Sequence, residues 1–130
     1  MSTIFSKIIS GEIPCYKVAE DANFLAFLDI FPLREGHVLI IPKIEVDKVY
    51  DLPAHIQAEM LPFASKIAKA LEKCFDCQRV GMGVIGLEVP HAHLHLLPIN
   101  QVSDLDFSKP KLMLSKDRLE EIARLIQSHL

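Results

Sequence analysis

Three histidines, His91, His93 and His95, occupy alternate positions of one short apolar stretch, "VPHAHLHLLPI" at residues 89–99. Successive side chains of a β-strand point to opposite faces, so this spacing predicts that the imidazoles share one face and the apolar residues between them share the other. At ~3.3 Å per residue, the α-carbons of the outer two histidines lie ~13 Å apart. The stretch therefore presents a row of imidazoles on one side.

Two possible uses of such a row do not involve attack by a histidine on a substrate. A solvated strand face is served equally well by Lys, Thr or Glu, so that reading explains three histidines poorly. Two imidazoles at i and i+2 can bind one zinc ion, but the third lies too far away to join them. A zinc site would need His37 or a cysteine from elsewhere in the chain.

The third use is chemistry at phosphorus. A neutral imidazole is a nucleophile near pH 7, because its ordinary pKa is about 6.5. Attack on phosphorus forms a covalent intermediate, while flanking imidazoles donate hydrogen bonds to the phosphate oxygens or the leaving group. This chemistry requires no metal or other cofactor.

The segment "HAHLHLL" matches the His-φ-His-φ-His-φ-φ signature of the histidine triad (HIT) superfamily of nucleotide hydrolases and transferases, where φ is apolar. The segments "IFSKIISGEIP", "FLAFLDIFPLREGHVLIIPK" and "EVPHAHLHLLPI" follow in that superfamily's order and approximate spacing, so the resemblance covers residues 4–99. It implies hydrolysis of phosphorus–nitrogen or anhydride bonds of purine nucleotides, through a nucleotidyl intermediate, by a two-fold homodimer.

The resemblance also implies roles for individual residues. His93 is similar to the nucleophile, and His95 to the residue that contacts the phosphate and the leaving group. His91 and His37 resemble the supporting pair, and Asp29 matches the carboxylate that binds the ribose hydroxyls. The residues at positions of the apolar purine pocket are Ile4, Phe5, Ile8, Ile30 and Leu39.

The loop before the triad, "GMGVIGLEVPH", departs from the better-studied branch of the superfamily. Gly83 stands near the position of an expected asparagine, and Leu87 and Glu88 replace a polar pair that contacts phosphate. We therefore expect side-chain contacts to the phosphate to be lost, and Glu88 to repel an anion unless it points away or pairs with a cation. Backbone N–H groups of residues 86–89 remain available to bind it.

A structural zinc site of many bacterial members also lacks its ligands. Thr3 and Ser6 stand at the two cysteine positions and Glu45 at the histidine position, so we expect no zinc there. Cys74 and Cys77 form an isolated Cys-x-x-Cys, which we interpret as two reduced thiols at a helix end.

Two further functions stay open at this point. A nucleotide-binding dimer with little turnover, acting as a sensor or scaffold, is favoured by the altered loop and opposed by the complete histidine set. A zinc-dependent hydrolase or carrier predicts metal bound to the purified protein.

The elements that must position these residues follow from periodicity. Apolar spacing predicts helices at residues 4–10, 53–75 and 115–130, with the main part of the second beginning near Pro62 and with Ser115 or Asp117 as the cap of the third. Compact apolar runs predict five strands that pair as hairpins in sequence order, and residues 101–114 are interpreted as a loop. The expected class is α+β, an antiparallel sheet of about five strands with one long inserted helix and a C-terminal helix.

Length and charge exclude several classes of partner. The 130 residues fit a single domain, 1–130, and the net charge of −3 gives no basic surface for a nucleic acid polymer or a membrane. No export signal and no spanning apolar run are evident, which favours a cytoplasmic location.

Overall fold

The computed structural model describes residues 2–130 and has one antiparallel sheet with helices on both faces. The helices are α1 (Ile4–Ser10), α2 (Ala54–Cys74) and α3 (Lys116–Gln127). The strands are β1 (Lys17–Glu20), β2 (Phe24–Leu28), β3 (Val38–Pro42), β4 (Arg79–Gly83) and β5 (Leu94–Ile99). The prediction of an α+β fold around five antiparallel strands is confirmed.

The order of the strands differs from the expected run of hairpins. The sheet order is β1-β2-β3-β5-β4, so β5 lies between β3 and β4 instead of at the edge. Burial explains the exchange: the four middle residues of β5 are buried, whereas only Gly81 of β4, "RVGMG", is buried, which suits an edge. The triad segment thereby leads directly into the centre of the sheet.

The helix α2 begins at Ala54, so the prediction of a start near Pro62 was wrong. Pro62 lies on the exposed face, where the backbone carbonyl that loses its hydrogen bond faces water. The buried stripe continues past the proline along Ile56, Met60, Ala64, Ile67 and Leu71. That stripe packs in the larger core cluster of the chain.

The sheet separates two apolar clusters. The larger contains the buried faces of α2 and α3, and the smaller contains Phe5 of α1 with Leu25, Phe27, Leu39 and Ile41. No helix within residues 2–130 is both long and apolar enough to cross a membrane.

Ion pairs join the segment after β5 to the loop between β2 and β3. Of the two caps that the sequence offered, Ser115 and not Asp117 caps α3, by accepting a hydrogen bond at Oγ from the Arg118 N–H at 3.1 Å. The Arg118 guanidinium binds both carboxylate oxygens of Glu35, at 2.8 and 2.6 Å, and Arg34 pairs with Asp104 at 3.0 Å. Apart from a short 3₁₀ turn at Val102–Leu105, residues 101–114 form the predicted loop.

Candidate active site

The strand β5 begins at Leu94, so His95 alone among the three triad histidines lies in a strand. The prediction of a continuous strand from residue 89 was wrong, because the ladder between β3 and β5 ends at the pair of Ile40 with Leu94, although β3 itself continues to Pro42. Instead, the His91 imidazole bonds the Pro42 carbonyl at 2.9 Å, which holds the segment beside the sheet.

The predicted alternation of faces holds in spite of this. Ala92 and Leu96 are buried in the larger cluster. The histidines lie on the other side, where the Phe5 ring meets the rings of His93 and His91 edge-on, with centroids 5.1 and 5.8 Å apart. One apolar helix residue thus packs against two imidazoles.

The hydrogen bond of His93 fixes which of its nitrogens is reactive. Nδ1 of His93 lies 2.8 Å from the His91 carbonyl oxygen, which can only accept, so Nδ1 carries the proton. Nε2 therefore keeps its lone pair. Every buried side-chain nitrogen or oxygen among the described residues has a hydrogen-bond partner. Nε2 of His93 has no such partner, so this atom is not buried.

His91 has a supporting arrangement. Its Nε2–H donates to the Pro42 carbonyl, and its Nδ1 accepts from the Thr3 hydroxyl at 3.0 Å. Burial lowers the pKa of His91, which favours this neutral form. The ring is fixed on both sides, and its backbone carbonyl in turn holds His93.

His37 and His95 form a second fixed pair. The Leu33 N–H donates to Nδ1 of His37 at 3.1 Å, so the His37 proton sits on Nε2 and is donated to Nδ1 of His95 at 2.9 Å. Nε2 of His95 consequently carries a proton. Burial lowers the pKa of His37 to about 3 and that of His95 to about 4, so both rings are neutral at pH 7.

Asp29 lies beside this pair. Its Oδ1 accepts from the Phe31 N–H at 2.9 Å, and its Oδ2 is 3.7 Å from Nε2 of His37. Burial raises the pKa of the Asp29 carboxyl. Oδ2 remains able to accept from a ligand hydroxyl, and the ribose-binding role that the resemblance implies for Asp29 stays a prediction.

These groups line a cavity of about 350 Å³, inside the range of roughly 300 to 1,000 Å³ common for small-molecule sites. Its first wall is Asp29 with three histidines, His37, His93 and His95, and its second is residues 85–88. A second cavity of about 320 Å³ on the other side of that loop also reaches His93. A larger groove of about 830 Å³, between β1 and α3, contains none of the histidines.

The third wall comes from Phe107, Ser108 and Lys111, which no motif in the sequence indicates. The Phe107 ring meets the His95 ring at a centroid distance of 4.6 Å and the His37 ring at 6.0 Å. These residues lie beyond the resemblance, in a segment without helical or strand periodicity. An aromatic residue and two lysines within an unpatterned stretch were the only available signal.

The five residues expected in the purine pocket differ in burial and do not form one surface. Phe5 and Leu39 are buried, and Leu39 pairs with His95 across the sheet. Ile8 packs against the cluster that contains Phe5, whereas Ile4 and Ile30 are each 50% exposed. None of the five lines the histidine cavity, so their part in binding purine stays a prediction.

The altered loop presents Glu88 to the cavity, as the sequence suggested. Glu88 is exposed and forms no ion pair with the residues that the structure describes. Gly86 has a φ of 73°, a left-handed conformation that glycine adopts without strain. Leu87 is 89% exposed and offers no polar contact.

The residues at the family's zinc position do not fit a zinc ion. Zinc in proteins takes thiolates, imidazoles and carboxylates, not the hydroxyls of Thr3 and Ser6. Those hydroxyls are already engaged: Ser6 donates to Glu45 at 2.6 Å, and Thr3 donates to His91. A hydrogen-bonded network occupies the place of a metal.

A second group of possible ligands, Asp29, His37 and His95, has donor atoms within 4.8 Å of one another. A metal at this position would need the lone pair of Nε2 of His37, which would move the proton of that ring to Nδ1. Nδ1 already accepts from the Leu33 N–H, so that tautomer would bring two hydrogens together. The hydrogen bonds from Leu33 to His37 and from His37 to His95 form a donor chain between neutral groups. This chain is incompatible with a metal bound at Nε2 of His37.

Comparisons with known proteins agree with this geometry. A family model described as HIT domain matches residues 10–102. The chain is 35% identical to an adenosine 5'-monophosphoramidase of Schizosaccharomyces pombe over 130 residues, which covers 98% of each chain. A HIT-like protein of Bartonella henselae, described as involved in cell-cycle regulation, superposes with a TM-score of 0.86 at 30% identity, covering 99% of this chain and 96% of that one. A zinc-bound histidine triad family protein of Mycobacterium smegmatis superposes at 0.83 with 32% identity, covering 99% and 93%.

Proposed function

Because the chain belongs to the HIT family, we propose that it is a nucleotide hydrolase that uses Nε2 of His93 to attack the α-phosphorus of a purine nucleotide. The observation that carries this proposal is the bond from Nδ1–H of His93 to the His91 carbonyl, which leaves the Nε2 lone pair at the cavity. The S. pombe relative supports a phosphoramidate as the substrate, since that protein is named an adenosine 5'-monophosphoramidase.

The reaction has two displacements at phosphorus. In the first, Nε2 of His93 forms a bond to phosphorus while the bond to the leaving nitrogen breaks. The nitrogen takes up a proton from solvent and accepts a hydrogen bond from Nε2–H of His95. The His93 ring becomes cationic, and the His91 carbonyl stabilises the proton on its Nδ1.

In the second displacement, water attacks the phosphorus of the nucleotidyl-histidine and the phosphorus–nitrogen bond to His93 breaks. The water proton goes to solvent, and the products are a nucleoside monophosphate and the free enzyme. Asp29 holds the ribose through its Oδ2 during both steps. No metal or organic cofactor takes part.

The test is mass spectrometry of protein quenched during turnover of adenosine 5'-phosphoramidate. We expect a transient adenylyl adduct in the wild type and none in His93→Ala. His55→Ala, which removes an exposed imidazole on α2, is the matched control and should keep the adduct. Absence of both adduct and turnover, across nucleotide phosphoramidates and anhydrides, would favour the nucleotide-binding dimer with little turnover.

A two-fold homodimer and a cytoplasmic location remain part of this proposal. The edge strand β4 and the loop after it expose Met82, Val84, Ile85 and Leu87. An exposed edge with apolar side chains is a suitable surface for a second copy. Light scattering of the eluting protein measures the mass directly, and a monomer at micromolar concentration would contradict the dimer.

A further inference from the structure

The third wall of the cavity is a structured segment. Asp106 accepts at Oδ1 from the N–H and the hydroxyl of Ser108, at 2.9 and 2.6 Å, which closes a turn. The Leu112 N–H donates to the Pro32 carbonyl at 2.7 Å, so the segment is joined to the loop that leads to His37. Its position relative to the histidines is therefore defined by the fold.

The Lys111 ammonium is held at this wall. Its Nζ donates to the Phe107 carbonyl at 2.6 Å, approaches the Lys109 carbonyl at 3.4 Å, and lies 5.9 Å from the centre of the Phe107 ring. That ring is the one that packs on His95. An ammonium has three N–H donors, so one remains for a ligand in the cavity.

The cavity otherwise lacks fixed positive charge. His37 and His95 are neutral at pH 7, and Asp29 and Glu88 are acidic. Among the described residues that line it, Lys111 is the one with a permanent cation. Its field reaches Asp29, His37 and His95, where it acts against protonation.

A bound phosphate is stabilised by hydrogen-bond donors, and the side chains of Leu87 and Glu88 supply none. Leu87 has no polar atom in its side chain, and the Glu88 carboxylate repels an anion. We propose that Lys111 binds the phosphate of the nucleotide and compensates for the missing polar side chains at positions 87 and 88. The proposal rests on the proposed function, since it assumes that the cavity holds a nucleotide.

The test compares the equilibrium binding of AMP and of adenosine, measured by calorimetry, in four proteins. These are the wild type, Lys111→Ala, Lys111→Arg and Lys109→Ala. Lys109 is a matched control, because it is an exposed lysine of the same segment that does not line the cavity. Adenosine reports whether the nucleoside site is intact, and the AMP-to-adenosine preference isolates the phosphate.

We expect Lys111→Ala to reduce the preference for AMP over adenosine by about tenfold, and Lys111→Arg to retain most of it. Lys109→Ala should match the wild type. Added salt should weaken AMP binding more in the wild type than in Lys111→Ala. An unchanged preference in Lys111→Ala, or an equal loss in Lys109→Ala, would overturn the assignment of Lys111.

The binding measurement separates this proposal from the proposed function. Binding requires no turnover, so a wild type that prefers AMP through Lys111 but hydrolyses nothing would refute the hydrolase alone. A wild type that turns over phosphoramidates with no AMP preference would refute the role of Lys111 alone.

Discussion

Nε2 of His37 lies 2.9 Å from Nδ1 of His95, and a single proton is shared between the two atoms. The backbone N–H of Leu33 determines which ring owns that proton, because it donates to the opposite nitrogen of His37. One peptide group therefore fixes the tautomer of His95 through two rings. In this state Nε2–H of His95 is a donor without any protonated imidazole.

Replacing His37 should disturb His95 without touching the nucleophile. We expect His37→Ala to lower kcat by about tenfold to a hundredfold, a range typical for losing an orienting partner. His37→Gln should lose less, because its amide N–H can still donate. Nitrogen NMR should place the proton on Nε2 of His95 in the wild type. In His37→Ala it should show a mixture of the two neutral tautomers of His95. A wild-type proton on Nδ1 of His95 would contradict the donor chain.

The depressed pKa values predict loss of stability in mild acid. An unfolded histidine binds a proton near pH 6.5, whereas His37 and His95 take one up only at about 3 and about 4 in the folded state. Between those values the unfolded chain binds more protons, so the free energy of unfolding falls as pH falls from about 6.5. Each histidine should contribute a loss of about 2 kcal/mol between pH 7.5 and 5.

Urea unfolding at the two pH values measures this loss. The fall should be smaller in His37→Gln, which removes one of the two groups. His55→Gln, which removes the exposed imidazole on α2, should fall as much as the wild type. Equal falls in all three proteins would show that other groups cause the acid sensitivity.

The Thr3 hydroxyl serves two elements, since it accepts from the Ser6 N–H to cap α1 and donates to His91. Thr3→Val keeps the shape and removes both hydrogen bonds, so we expect a loss of about 1 to 2 kcal/mol in the free energy of unfolding. Thr3→Ser should lose little.

A chelator should leave the wild-type stability unchanged, and a lower unfolding midpoint in EDTA would show that a metal supports this network.

Gly83 is opposite His95 in the sheet, and a methyl group added there would meet Cε2 of Phe107 at 3.6 Å, an ordinary contact. We therefore expect Gly83→Ala to fold with Phe107 in place. Gly83→Asn needs room that the ring occupies, so it should displace Phe107 and expose His95 to water. NMR contacts between Phe107 and His95, together with a rise in the His95 pKa, would register the displacement. Retained contacts in Gly83→Asn would show that the ring does not close the site there.

Glu88 should oppose nucleotide binding, because it lines the cavity without a cationic partner within the described residues. We expect Glu88→Gln to tighten AMP binding by about threefold, a small effect because the carboxylate is exposed. Glu72→Gln changes the net charge equally at an exposed position of α2 and should have no effect. Weaker AMP binding in Glu88→Gln would indicate that this carboxylate binds the substrate.

Local pattern was sufficient for much of the fold. Strict alternation placed Ala92 and Leu96 on the core side, and a serine before a periodic apolar run identified the start of α3 at Ser115. The helix start near Pro62 failed because the effect of a proline depends on the face it occupies. Pro62 faces solvent, which periodicity could have shown.

Long-range pairing set the limit of the prediction. No local feature indicates that β5 lies between β3 and β4, because that choice depends on total burial across the sheet. The contributions of Phe107 and Lys111 were equally hidden, since irregular segments carry no period and their contacts join residues distant in the chain. The nucleophile could be inferred from its spacing, but the wall that faces it required the folded structure.

Segment 106–111 follows the histidines in the chain, and this order has a consequence for the timing of synthesis. Domains begin to fold while the ribosome extends them by about 5 to 20 residues per second. The histidines are therefore synthesised before Phe107 and Lys111, and the cavity between them is complete only after residue 111 has been added.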